Sequence, residues 1–395
     1  MASAGKNDVY PAPRPDVSSH GRSQPETAPT IDHLAKNWPI SDRIRRDIIN
    51  FENGGGLENE NDNSYDELMA ALERYTGFPQ ESILPVAGNQ AAYWAIVNSF
   101  IRESDELIMD GPIMTDFEKI ATTRGGRVVY HKPPAPETRD LSGIMSSMNH
   151  ATRMVYLAHP NWCTGSVIES GELERILKGT FGIQVILDES YFEFFGSSLA
   201  GFLRQYDNLS VVRSFAHGFG LKGLASSYIL ASPENRCRLM ARAAPERPSQ
   251  SAMYASTRVL GDLDWISRRL EAHREYLLYV TTRLRSLGVT VHSSKTGLLL
   301  LEVPAPEAVA AALHDASVDI RSLDLRPSLK NRLAVDIADD AAGLAVIDAF
   351  RAMPAHYYRL LQPRRATITL RRRTESDKRP NASSDRPIIG NDHAE

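Results

Sequence analysis

The sequence predicts an α/β protein that has a large, mostly parallel sheet and a smaller C-terminal α/β domain. Short apolar runs alternate with helical patterns over about 150 residues, which is typical of β-α-β units. After Pro248 the pattern changes to long amphipathic helices that are followed by short strands and helices. That change indicates a second, smaller domain.

The large domain begins with a helix pattern at residues 66–77, where Leu68, Ala71, Leu72 and Tyr75 recur at helical spacing before a glycine. Apolar runs of strand length and further helix patterns then alternate along the chain. The predicted strands are 106–109, 127–130, 153–157, 184–188 and 211–212, and the predicted helices are 91–101, 117–123 and 172–178.

The C-terminal domain is predicted from amphipathic helices and from short runs rich in Leu and Val. Its predicted helices are 249–260, 264–287, 306–316 and 341–353, and its predicted strands are 289–291, 297–303 and 332–337. The domain bounds are therefore a disordered arm at 1–30, an N-terminal segment at 31–52, a large cofactor-binding domain at 53–250, a connecting helix and small domain at 251–361, and a basic disordered tail at 362–395.

Composition excludes several classes of function. A net charge of −4 gives no electrostatic reason to expect nucleic-acid binding. The two cysteines, Cys163 and Cys237, are too few and too far apart for a disulfide framework or a metal site. Neither an apolar signal segment nor a run long enough to span a membrane is present, so we expect a cytoplasmic protein without a membrane partner.

Polar residues follow two of the apolar runs at their carboxyl ends. The run at 184–188 ends in Asp188, Glu189 and Tyr191, and the run from Val211 leads into a glycine-punctuated turn. Ligands collect at the carboxyl ends of parallel strands, so both segments are expected at one binding site. The small-residue turn at 88–90 opens a helix and suits a phosphate, although an ordinary turn has the same pattern.

Two segments, DESYFEF at 188–194 and RSFAHGFGLKGLASSY at 213–228, carry a family resemblance. They resemble the D-E-A-Y-x-x-F and R-T-x-S-K-x-F-G-L-A-G-L-R-x-G-Y motifs of the class I/II (fold-type I) pyridoxal-phosphate aminotransferases, most closely the histidinol-phosphate aminotransferase and threonine-phosphate decarboxylase branch. The resemblance covers about residues 55–355 and implies pyridoxal or pyridoxamine 5'-phosphate as cofactor. In this register the Schiff-base lysine of the family falls on His217.

The resemblance also assigns roles to single residues. Asp188 would pair with the pyridine nitrogen, Tyr191 with the 3-hydroxyl, and Arg332 with a substrate carboxylate. The phosphate would be held by Gly88, Asn89, Gln90 and Ser214, and Asn161 stands beside Trp162, which replaces the asparagine of the family. The phosphate site is weakened because Ala225 replaces an arginine, Ala216 replaces a serine, and Met114 stands where a stacking aromatic residue is usual.

His217 leaves three hypotheses open. Imidazole cannot form the imine that the lysine forms, but it can act as a general base near neutral pH, and a similar exchange occurs in the related sugar 3-dehydratases. The first hypothesis is a lysine-less enzyme that acts on an amino acid or amino-acid-like metabolite, with His217 as acid and base. The second is a catalytically inactive partner subunit, and the third is a transaminase that uses Lys222. The family is homodimeric, so a homodimer is expected.

Overall fold

The computed structural model describes residues 40–56, 63–111, 116–131, 139–292, 294–322, 329–337 and 339–360. The predicted arm, the predicted basic tail and Met114 lie outside the described residues. Within these ranges no helix is long and apolar enough to cross a membrane. The same ranges contain no group of three His, Cys, Asp or Glu side chains that could hold a metal ion.

The large domain is built on a seven-stranded sheet with the order β1-β7-β6-β5-β4-β2-β3. Strands β2 to β6 are parallel, whereas β7 runs antiparallel to both β6 and β1. The connection 215–226 between β6 and β7 holds no helix, so the chain folds straight back instead of crossing over. The strands are β1 Ile83–Val86, β2 Glu106–Asp110, β3 Arg127–His131, β4 Thr152–Ala158, β5 Gln184–Asp188, β6 Leu209–Ser214 and β7 Ser227–Ala231.

Helices cover both faces of this sheet and bury one core on each side. One core joins α2 and α9 to the sheet through residues such as Leu72 and Val259, and the other joins α3 and α8 through Ile96 and Leu239. The helices up to this point are α1 Asp42–Phe51, α2 Ser64–Thr76, α3 Gly88–Phe100, α4 Asp116–Thr123, α5 Leu141–Ser147, α6 Ser170–Gly179, α7 Phe192–Phe195, α8 Pro233–Ala243 and α9 Gln250–Leu260.

The C-terminal part carries an antiparallel four-stranded sheet with the order β10-β11-β9-β8. Leu333 and Val335 of β11 pack into a core with the helices, and the alternate residue Ala334 packs with Trp162 and Cys163 of the large domain. The elements are α10 Leu263–Ser286, β8 Thr290–His292, β9 Leu298–Glu302, α11 Pro306–Asp315, β10 Ile320–Ser322, β11 Arg332–Asp336 and α12 Asp340–Ala352. The prediction of an α/β fold with a mostly parallel large sheet is confirmed.

The strand ends that carry polar residues meet at one edge of the large sheet. β5 ends at Asp188, β6 ends at Ser214, and Ser227 begins β7 directly opposite both Ser214 and Val86. Helix α3 starts at Gly88, two residues after β1 ends. Asp188, Ser214 and the start of α3 are therefore brought to the same side of the fold.

Candidate functional site

A cleft lies where the turn after β5 and the connection 215–226 meet the small sheet. Aromatic and apolar side chains form part of its wall, and an imidazole, an amine and a carboxylate also line it. The lining residues are Tyr191, Phe194, His217, Lys222, Gly297, Leu298 and Asp336.

His217 is held against Tyr191 in this cleft. The two rings are stacked, with their centroids 3.9 Å apart and their planes inclined by 19°. The loop that carries the imidazole is fixed by its own backbone, because Gly220 N donates to His217 O at 3.2 Å and Leu221 N donates to Phe215 O at 3.0 Å. Gly220 adopts a φ of +76°, a left-handed conformation that glycine takes without strain. The imidazole is thus placed next to the tyrosine that the resemblance assigns to the cofactor.

Lys222 lies at the rim of the same cleft. Its side chain is 52% exposed, and its Nζ is 3.7 Å from Oδ2 of Asp336 at the end of β11. Asp336 is only 12% exposed, but an ion pair at this distance with a half-exposed lysine contributes little to stability. The amine is therefore paired with a carboxylate of the small sheet.

Asp188 is buried at the end of β5 and accepts three hydrogen bonds. Tyr93 and Tyr156 each donate a hydroxyl to its Oδ2 at 2.5 Å, and Ser190 N donates to its Oδ1 at 2.9 Å. Burial, together with the charge of Asp188, raises the pKa of both tyrosines well above the usual value, so both remain donors near neutral pH. A carboxylate offers about four lone-pair positions, which leaves one on Oδ1 for a further donor.

Small polar side chains form a second cluster beside Asp188, at the start of α3. Asn89 donates to Ser190 Oγ at 2.9 Å and accepts from Ser227 Oγ at 2.7 Å, and Ser227 Oγ lies 3.4 Å from Ser214 Oγ. Ala87 precedes α3 and supplies no side-chain cap, so the first N–H groups of this helix are available to a ligand. We call these four side chains and the α3 N-terminus the hydroxyl cup.

The three remaining predicted site residues have other partners in the structure. Gln90 Nε2 donates to Asp116 Oδ2 at 3.0 Å, on the exposed side of the cup. Asn161 Oδ1 accepts from Cys163 N and Thr164 N at 3.0 and 3.1 Å, within its own turn. Arg332 begins β11, at the opposite end from Asp336, and its Nη2 is 3.3 Å from Glu302 Oε2.

Comparison with known proteins decides the family. The family model described as aminotransferase class I and II matches residues 31–334, which is more than half of the chain. The chain belongs to this family. Histidinol-phosphate aminotransferase of Methanosarcina barkeri is 29% identical over 262 residues, which cover 65% of this chain and 70% of that protein.

Solved structures of this aminotransferase fold agree with the assignment. A putative histidinol-phosphate aminotransferase from Erwinia carotovora atroseptica aligns with a TM-score of 0.72 at 19% identity, covering 80% of this chain and 93% of that one. The Sinorhizobium meliloti histidinol-phosphate aminotransferase in complex with pyridoxal-5'-phosphate aligns with a TM-score of 0.67 at 18% identity, covering 81% and 89%. The predictions of the class I/II family, of fold type I and of pyridoxal phosphate as the family's cofactor are confirmed.

The site of this aminotransferase-family chain contains groups that could hold the family's cofactor. The hydroxyl cup offers hydroxyl groups and uncapped backbone N–H groups to a phosphate, and Asp188 retains an acceptor position for a ring N–H. Ala225 lies beside the start of α3, because a Cβ built on Gly88 would be 3.3 Å from the Cβ of Ala225. The wall of the hydroxyl cup that Ala225 forms therefore carries no positive charge. The cup therefore relies on neutral donors.

Several residues of this aminotransferase-type site were not singled out from the sequence. Tyr93 and Tyr156 stand in apolar runs that read as core, and only the fold brings their hydroxyls to Asp188. Ser227 could have been found from its register opposite Ser214, had the antiparallel strand β7 been assigned. His273 of α10 is buried beside Gly297 of the cleft, and burial, reinforced by Arg269 and Arg274, lowers its pKa to about 3, so it is neutral at physiological pH.

Proposed function

We propose that this chain is a lysine-less member of its family, which binds pyridoxal or pyridoxamine 5'-phosphate without a covalent link and acts on an amino acid or amino-acid-like metabolite. The observation that carries the proposal is the position of His217, whose ring lies on Tyr191 inside the cleft while Lys222 extends to Asp336 at the rim. A role in biosynthesis and a homodimer follow by similarity to the relatives and remain part of the proposal.

Each group of the site has a defined task in this proposal. When bound, the cofactor supplies an electron-accepting ring for chemistry at a substrate carbon. Asp188 accepts the ring N–H, and Tyr93 and Tyr156 fix the orientation of its carboxylate. The hydroxyl cup binds the phosphate through neutral donors and the positive end of α3.

His217 then takes over the proton transfer. A histidine near neutral pH can both accept and return a proton, which is the second task of the family's lysine. The stack with Tyr191 restricts the imidazole to one wall of the cleft, so that its ring nitrogens can face a substrate bound beside Tyr191. Arg332 is the proposed partner for a substrate carboxylate, which would have to compete with Glu302 for the guanidinium.

A borohydride experiment tests the absence of a covalent link. Wild-type protein is loaded with pyridoxal 5'-phosphate, reduced with borohydride and digested, and the peptide that contains residues 217–222 is analysed by mass spectrometry. We expect reversible cofactor uptake and no pyridoxyl group on Lys222. The His217→Lys variant should become labelled at position 217, because a lysine there can form the imine.

The same experiment separates the alternatives. A pyridoxyl group on Lys222 of the wild type, absent from Lys222→Ala, would support a transaminase that uses Lys222. Failure of the wild type to take up either form of the cofactor would support an inactive partner subunit. A His217→Lys variant that binds the cofactor without becoming labelled would contradict the alignment that places His217 at the lysine position.

A further inference from the structure

Glu193 is a buried acid that the proposed chemistry does not use. It lies in α7, two residues after Tyr191 and next to Phe194 of the cleft, and only 8% of it is exposed. No other described residue forms a hydrogen bond with either of its carboxyl oxygens, and only its own backbone N–H lies near enough to act on the carboxyl as a donor. A buried polar group without a partner is costly and rare in folded proteins, so its presence calls for a functional or structural reason.

The side chain of Glu193 packs against the loop that carries His217. A Cβ built on Gly218 would lie 2.5 Å from Glu193 Cβ and 2.9 Å from its Oε2, so only glycine fits beside it. On the other side, Arg269 of α10 donates its Nη2 to the carbonyl oxygen of Gly218. The peptide that follows His217 is thus held between Glu193 and Arg269.

The charges around Glu193 leave it without a counter-ion. The charge of the buried Arg213 favours ionisation of Glu193, but Arg213 is already paired with Glu189 at 2.9 Å. An ionised Glu193 would therefore add an unbalanced negative charge to the interior. Burial raises the pKa of Glu193 to about 8, and the charge of Glu189 adds to this shift.

We propose that Glu193 is a positioning residue for His217. Its uncharged carboxyl packs against Gly218 and keeps the imidazole stacked on Tyr191. Release of its proton to solvent frees the loop. The reason is that a buried carboxylate must be solvated. Water would have to enter the space where the Gly218 peptide packs against Glu193, or that peptide would have to move away. The importance of this position rests on the role proposed above for His217. The result is a cleft that is assembled below pH 8 and loosened above it.

The other titratable groups that face Glu193 or the loop keep one protonation state between pH 7 and 9. Burial, the larger cause, together with the charge of Glu193, raises the pKa values of Tyr75 and Tyr228 above the usual range. Burial lowers the pKa of Arg269 to about 10 and that of His273 to about 3. Glu189 and Arg213 form the buried pair described above. A transition near pH 8 that persists when His217 is replaced therefore reports on Glu193.

Hydrogen exchange of the loop tests this inference without cofactor or substrate. Exchange of the peptide that covers residues 215–224 is measured by mass spectrometry from pH 7 to 9 and corrected for the intrinsic pH dependence of exchange. We expect the protection of this peptide in the wild type to fall about tenfold between pH 7 and 9, because at pH 9 an acid with a pKa of about 8 is roughly 90% ionised. Protection in Glu193→Gln should change less than twofold.

Three further variants complete the design. Glu271→Gln removes an exposed acid from α10 and should keep the wild-type profile. His217→Asn removes the titration of the imidazole itself and should also keep the profile. Gly218→Ala, whose methyl overlaps Glu193, should lose protection already at pH 7.

Constant protection of the wild-type loop from pH 7 to 9, or an equal fall in Glu193→Gln, would overturn the inference. Disappearance of the fall in His217→Asn would also overturn it, because His217 would then be the titrating group. Cofactor uptake plays no part in this measurement. Its failure would therefore count against the proposed function alone.

Discussion

Replacing Glu193 by glutamine should stabilise the protein, and increasingly so as the pH rises. The folded state raises the pKa of this carboxyl from 4.5 to about 8. Below pH 4.5 both states hold the proton, so Glu193 has no linked effect on stability. Between pH 4.5 and 8 the unfolded chain releases the proton while the folded chain retains it, so the free energy of unfolding of the wild type falls with pH.

The size of the effect follows from the same shift. Each pH unit in this window removes about 1.4 kcal/mol of unfolding free energy from the wild type. Glutamine has nearly the same shape and does not titrate, so the difference between variant and wild type should grow by roughly 2–3 kcal/mol from pH 5.5 to pH 7.5. The unpaired amide of glutamine also costs free energy, but this cost does not depend on pH.

Urea denaturation at several pH values measures this difference. Protein concentration is held constant, since a dimer would make stability concentration-dependent, and the cofactor is omitted. Glu271→Gln serves as the matched control, because it makes the same chemical change on the exposed side of α10 and should track the wild type. A difference between Glu193→Gln and the wild type that varies by less than about 0.5 kcal/mol over this range would refute the reasoning.

Three other changes address the site directly. In cofactor-loaded protein, His217→Asn should slow the exchange of substrate Cα protons with deuterated solvent by about 10²–10⁴-fold, because a general base is lost. NMR of an equimolar L-amino-acid mixture measures this rate. An unchanged rate would exclude His217 as the base. Ala225→Arg should tighten pyridoxal 5'-phosphate binding about tenfold by adding a charged donor to the hydroxyl cup, whereas binding of pyridoxal, which lacks the phosphate, should stay the same in spectroscopic titrations. Lys222→Ala should lower the free energy of unfolding by roughly 1 kcal/mol and leave cofactor uptake intact, since Lys222 is 52% exposed and its Nζ is 3.7 Å from Asp336. A loss of uptake on this substitution would favour chemistry through Lys222.

The large parallel sheet could be predicted because buried strands appear in the sequence as continuous apolar runs. Helices α1, α5 and α8 were not predicted, although α1 has a clear amphipathic pattern; each of the three buries only one or two apolar residues. Their capping residues Ser41, Asp140 and Ser232 were an available signal, as each accepts a hydrogen bond from the first turn of its helix.

The site could be predicted only in part, because some of its residues are brought together only by contacts between elements. Asp188, Asn89 and Ser214 stand at strand or helix ends, where the sequence pattern marks them as polar residues that end or begin apolar elements. Tyr93 and Tyr156 stand in the middle of apolar runs, and their hydroxyls reach Asp188 only through the pairing of β4 with β5 and the packing of α3 on the sheet. Sequence periodicity contains no information on such contacts between elements.

The placement of buried carboxyl groups favours a working site over an inactive partner subunit. Asp188 and Glu193 stand five residues apart, on either side of the cleft residue Tyr191 in the sequence, and each is buried in a setting that lowers stability unless another group compensates. Asp188 is compensated by three donors, whereas Glu193 has none from any other described residue. Packing alone would be served better by glutamine at 193, and groups that reduce stability are concentrated where binding or catalysis requires them. Glu193→Gln should gain stability and lose the pH response of the His217 loop whether or not the subunit is active, so the experiments with cofactor and substrate are the ones that distinguish the two cases.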